Sequence, residues 1–157
     1  MTYQQQPGYL IPPYIKELNT LLANLRVYQQ KLLHYRWGMQ LKPTLQVEEV
    51  LNKLRHPSLL QLDALATEII NQGIRPLSTL QQYSKQAEIK EGRNFFDTTT
   101  VLNQLWQDQH TILKNVHRAL LLSKEVAAAS CQDLLRHLLN SLYEDMDVVQ
   151  EQKMELA

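Results

Sequence analysis

The chain has 157 residues, of which 44% are apolar and 20% charged, with sixteen basic side chains balanced by sixteen acidic ones. That length suits one domain with a core large enough to need no disulfide or structural metal, and the charge balance excludes capture of polyanions by net charge. The single cysteine, Cys131, cannot form an internal bridge and reads as a buried structural thiol on the apolar side of a helix.

With only four glycines, and with apolar residues recurring every three or four positions, the pattern predicts an all-helical chain. Residues 1–11 read as a short tail and 12–157 as the helical domain. A first helix is expected to begin near Pro12 and Pro13, to carry the stripe Leu18, Leu21, Leu22, Leu25, Leu32, Leu33, and to end between Gly38 and Pro43. A second covers Val47 to Gln72 and stops at Gly73, which suits a left-handed cap. Pro57 inside it removes a backbone hydrogen bond, so either a kink near His56-Pro57-Ser58 or two stacked segments is expected. The connection from Ile74 to Asp97 is long enough for a crossover and carries a short helix near Leu77 to Tyr83. The third helix runs from Thr98 to Val126 with Thr98 or Thr99 as cap, and Val101, Leu102, Leu105, Ile112, Leu113, Val116 and Leu120 facing inward. The fourth spans Cys131 to Met154. Four such helices with one long connection make a ferritin-like four-helix bundle with a short extra helix between the second and third.

The run His34-Tyr35-Arg36-Trp37, followed by Leu62 to Ile70 and by Asn71-Gln72-Gly73-Ile74-Arg75-Pro76-Leu77-Ser78-Thr79-Leu80, resembles the Dps family of bacterial mini-ferritins. The likeness extends from about Asn19 to Glu151. It implies a dodecameric shell that oxidises ferrous iron at sites shared by two subunits. In that family a histidine precedes the tryptophan, a second histidine follows about twelve positions on, and an aspartate comes one helical turn later. The other subunit provides an aspartate and a glutamate, one turn apart. A gapless alignment places Arg36, Glu48, Asn52, Asp63 and Thr67 at these positions, so Glu48 and Asp63 are the remaining carboxylates and Arg36, Asn52 and Thr67 are former ligand positions. A one-residue slip at Pro57 would put Val47 or Glu49 in place of Glu48. A guanidinium has no lone pair for a metal and repels one, so the usual iron site is not expected and no other cofactor is implied. Arg36 is expected to pair with Asp63 or Glu48 of a neighbouring subunit, or else these residues face solvent or pair elsewhere.

Outside that set, His34 lies on another side of its helix from Arg36 and offers a shifted site. His110 and His117 share a face with Asp108 nearby, but isolated histidines more often face solvent or make core hydrogen bonds, and the same holds for His56 and His137. Glu144, Asp145, Asp147 and Glu151 read as a solvated face of the fourth helix, and the junction Glu125 to Asp133 keeps some acid around an apolar centre. Trp37, Trp106, Tyr35 and Tyr143 read as core or interface packing. The resemblance and its departures together give a Dps-like cage related to iron storage and stress protection, acting as a shell or partner subunit rather than as an enzyme. It would form a homo-dodecamer or mix with a second, active Dps homologue. An iron-oxidising protein with a relocated site and a non-cage interaction protein are the alternatives. The first eleven residues hold no lysine or arginine, so DNA binding through the tail is not expected. No apolar run reaches membrane length and residues 1–8 lack signal-peptide character, so no membrane partner and a cytoplasmic location are expected.

Overall fold

Pro13 opens the first helix, where a missing N–H costs nothing and the fixed φ is already helical. The computed structural model describes residues 11–41, 45–54 and 57–156. Among them are six helices and no strand: α1 (Pro13–Met39), α2 (Leu45–Lys53), α3 (Leu59–Asn71), α4 (Leu80–Gln86), α5 (Thr98–Glu125) and α6 (Ala129–Glu155). Helix α5 packs against both α1 and α6, and α2 and α3 pack against α1 and α6 to form together the fourth side of the bundle. The core is lined by Leu18, Leu21, Leu25, Leu105, Ile112, Val116, Leu135, Leu142 and Val149. Leu33 and Leu113 sit only half-buried at its edge. No helix among the described residues is long and apolar enough to cross a membrane.

The expected second helix is broken in two. Pro57 cannot donate to a continuing ladder, and Ser58 restarts the chain as an N-cap: its hydroxyl accepts from the Gln61 N–H at 3.2 Å while the Gln61 side chain accepts from the Ser58 N–H at 2.9 Å. The same Gln61 donates to Ser141 of α6, and Gln29 of α1 donates to the Pro57 carbonyl, so the break is tied to the bundle from two sides. His56 lies outside the described residues. At the far end Gly73 takes φ 73°, and the Gly73 and Ile74 N–H groups cap Ile70 and Ile69.

Three other boundaries differ from the sequence pattern. The short crossover helix starts three residues later than expected, because Thr79 and Gln82 form a reciprocal capping box. Asp97, not Thr98 or Thr99, caps α5, its carboxylate accepting from the Thr100 N–H at 3.0 Å; that hydrogen bond holds the Asp97 carboxyl below the usual range. The fourth predicted helix begins at Ala129, two residues before Cys131.

The crossover is fastened by two buried asparagines of α1. Asn19 accepts from the Leu77 N–H, and Asn24 accepts from the Glu88 and Ile89 N–H groups while donating to Asn115 of α5. These amides satisfy backbone donors that no helix serves. Further on, His34 Nε2 donates to the Arg93 carbonyl and Phe96 lies directly on Gly38, so residues 92–96 cover the end of α1 where a β-carbon at position 38 would collide with the ring.

The turn from α5 to α6 repeats the capping geometry of Gly73 with an unsuitable residue. The Ala127 and Ala128 N–H groups bond Lys124 and Ser123, and Ala127 is held at φ 52°. Left-handed backbone crowds a β-carbon against its own carbonyl. Ala127→Gly is therefore expected to raise the unfolding free energy by about 1 kcal/mol, net of the glycine's greater freedom when unfolded, as read by urea denaturation.

Candidate metal centre

Arg36 stands in the last turn of α1 and reaches across to α2, where its Nη2 donates to the Leu51 carbonyl at 3.3 Å. Its Nε is buried with no hydrogen-bond partner among the described residues. On α2, Glu48 is half-buried and Asn52 exposed. On α3, Asp63 and Thr67 are both exposed, and the Thr67 hydroxyl donates to the Asp63 carbonyl one turn back at 2.8 Å. The positions therefore form two separate sets. Arg36 reaches α2, which carries Glu48 and Asn52, while Asp63 and Thr67 lie exposed on α3; among the described residues no contact joins Arg36 to Asp63 inside one chain. The donors are a guanidinium, an amide, a hydroxyl and two carboxylates split between the sets. That chemistry does not fit a ferrous ion, which needs imidazole and carboxylate ligands converging on one point.

Large apolar side chains are exposed on α3 and at the end of α1. Leu59, Leu60 and Ile70 lie exposed on the same side of α3 as Asp63 and Thr67, with Leu60 at 80% exposure. Trp37 and Leu41 are exposed at the end of α1, Trp37 at 57%, so Trp37 is not a core residue of the chain. Tyr35 beside it is buried, and burial followed by the charge of Asp108 pushes its phenol up to about 12. Leu59, Leu60 and Ile70 share one exposed side of α3, and contiguous apolar surface of this kind is typical of faces that another protein covers.

Most other candidates serve packing. Cys131 is buried, and burial followed by the nearby Glu68 charge pushes its thiol up to about 12, as an inert thiol requires. His110 Nδ1 hydrogen-bonds the Trp106 carbonyl and its ring meets the Trp106 edge, while Lys153 lies over the indole face at 5.1 Å. His117 meets the Tyr143 hydroxyl at 3.4 Å on the surface, and His137 is exposed. Glu144, Asp147 and Glu151 are exposed, whereas Asp145 turns inward and is buried, which corrects its assignment to the solvated face. Among the described residues no group of three or more histidine, cysteine, aspartate or glutamate side chains could hold a metal.

Asp108 also leaves the histidines and turns into the bundle. Its carboxylate meets the Lys31 ammonium of α1 at 2.6 Å, with 2% and 6% of the two side chains exposed, and Gln104 donates to its other oxygen at 3.2 Å. Desolvation raises the Asp108 carboxyl above the usual range and Lys31 opposes the rise. Nearby, Gln109 donates to the Tyr28 hydroxyl at 3.1 Å, and burial with the Asp145 charge takes that phenol well above its usual value. The sequence signal for this polar interior was present: Lys31 and Asp108 occupy positions on the apolar stripes, three residues from Tyr28 and from Leu105 respectively.

Residues 15–156 match the family model described as ferritin-like domain. The DNA protection during starvation protein of Porphyromonas gingivalis is 30% identical over 81 residues, a match covering 52% of this chain and about half, 51%, of that relative. The DpsC structure from Streptomyces coelicolor superposes with a TM-score of 0.79 at 21% identity, covering 96% of this chain and 91% of that one. The dodecameric thioferritin of Bacteroides fragilis, a bacterioferritin-related protein, does so at 0.74 and 17%, covering 91% and 85%. A family match over nearly the whole length, on a bundle with the helix order and crossover of these structures, places this chain in the ferritin-like family with the fold of the Dps proteins.

Proposed function

We propose that the chain is a Dps-like mini-ferritin subunit that builds a cytoplasmic shell without the iron-oxidising site between subunits. The observation that supports this reading is Arg36, a permanent cation anchored on the Leu51 carbonyl at the position the alignment assigns to the first iron ligand. The face that would complete the site carries Asp63 beside a hydroxyl already engaged by its own helix. The exposed apolar residues of α3 and the end of α1 supply the subunit contact, and the dodecameric relative supports a closed shell. Such a shell either consists of this chain alone or mixes with an active, histidine-bearing homologue that supplies working sites. Its link to stress protection and iron storage rests on the family and on the starvation-protection relative. The tail, free of lysine and arginine through residue 11, is assigned no DNA contact.

Ferrous iron added to the purified protein without oxygen, followed by a stoichiometric pulse of peroxide, tests the reading. Ferric absorbance is expected to rise no faster than in buffer. Oxidation that outruns buffer and saturates at a fixed ratio per subunit would refute it in favour of a relocated iron site.

A further inference from the structure

A groove of about 460 Å³ opens between α1 and the crossover, on a different side of α1 from the Arg36 contact with α2. That volume is in the range of small-molecule sites. We propose that it binds a compact organic oxyanion, a phosphate or carboxylate carried on a flat or apolar body. The proposal does not depend on the shell reading.

Charge is the first reason. Arg26 lines the groove half-buried; its Nη1 donates to Gln29 at 2.8 Å and its guanidinium lies 5.5 Å from the centre of the Tyr83 ring. Both partners are neutral, so among the described residues this cation has contacts but no counter-ion. Contact with Gln29 and Tyr83 removes rotamer freedom that a ligand would otherwise have to restrict, and the planar fork suits two oxygens of one anion.

The second reason is at the back of the groove. Lys31 lines it although the side chain is 2% exposed, and Asp108 is its only hydrogen-bond or ion partner among the described residues. An ammonium carries three donors, and buried donors left without acceptors are costly. An oxyanion entering between Arg26 and Lys31 supplies acceptors to both. Val27, Leu80 and the Tyr83 ring give the body of the ligand an apolar surface, and Leu80 is open to solvent in the chain. Glu91 also lines the groove but is exposed, where water and salt screen its repulsion.

Calorimetric titration of the assembled protein with phenyl phosphate is the test. One molecule per subunit is expected, saturating at about 0.1–1 mM given the size of the probe. Phenol, which keeps the ring and lacks the oxyanion, is expected to bind about ten-fold more weakly or worse. Benzoate and inorganic phosphate run in parallel show which head group is preferred; saturable binding of either at the same site supports the oxyanion assignment. Arg26→Gln is expected to weaken phenyl phosphate about ten-fold or more, and Arg26→Lys to recover part of the loss. Ser84→Trp, a change on the exposed side of α4 that fills the groove, is expected to abolish binding while leaving the helical circular dichroism unchanged. Absence of saturable heat, equal affinity for phenol, or unchanged binding in Ser84→Trp would overturn the proposal.

Discussion

Lys31→Ala is expected to lower the unfolding free energy by about 3–5 kcal/mol, because it leaves the Asp108 carboxylate buried and uncompensated. Gln104 alone cannot replace an ammonium at 2.6 Å. The loss should depend on pH in a defined direction. Burial holds the Asp108 carboxyl above its unfolded value, so the folded chain binds that proton more readily than the unfolded chain. The resulting stabilisation is complete below the unfolded aspartate range and is lost as pH rises through the folded value. Removing Lys31 removes the one opposing charge, so the variant should regain stability on acidification through a wider window than the native chain. The double variant Lys31→Met/Asp108→Leu should recover most of the loss, since an apolar pair of similar volume avoids both desolvation costs. Urea unfolding of the three proteins at neutral and mildly acid pH checks this; a single variant as stable as the native chain would mean that the pair is solvated rather than buried.

Arg36→Ala should have its main effect between chains. Its Nε is buried without a partner among the described residues, and a buried donor of this kind ordinarily finds an acceptor. The proposed acceptor is Asp63 of a neighbouring copy, which stands exposed among Leu59, Leu60 and Ile70. Native mass measured under dilute neutral conditions is expected to fall from the shell toward dimers or single chains in both Arg36→Ala and Asp63→Ala. In a double-mutant cycle the two changes should couple by about 1–3 kcal/mol, as neighbouring charged partners do. Unchanged mass and melting temperature in both single variants would remove Asp63 as the partner and leave Arg36 as a brace between α1 and α2.

The bundle was legible because its evidence is local. Leucines at helical spacing, Pro13 at a helix start and Gly73 at an end each constrain the few residues around them, and these elements lie where the pattern placed them. The boundary errors were local too: Thr79 with Gln82, and Asp97 with Thr100, are capping signals that a stripe-based reading passes over. The interior polar groups were harder to place for a different reason. Whether Asp145 faces water or core depends on the rotation of α6 against α1 and α5, and its neighbours Glu144 and Asp147 in the sequence are both exposed. Lys31 and Asp108 become intelligible only as a pair, and the pairing spans 77 positions of sequence. At the candidate metal centre, the proposal that iron ligands are missing was already open to the sequence, because it rests on the donor chemistry of Arg36, Asn52 and Thr67 and on their alignment rather than on packing.

The interruption at Pro57 also governs how this sequence can change over time. In one continuous helix, inserting or deleting a residue turns everything beyond it by about 100° and would swing Asp63 and Thr67 off their exposed face. Here Ser58 and Gln61 reset the helix from a fresh start, and Gln29 and Ser141 hold that start in place. The α2 positions Glu48 and Asn52 and the α3 positions Asp63 and Thr67 are thus decoupled in rotational phase. Length changes between α2 and α3 can therefore accumulate without rotating the exposed face of α3, the face proposed to meet a neighbouring copy.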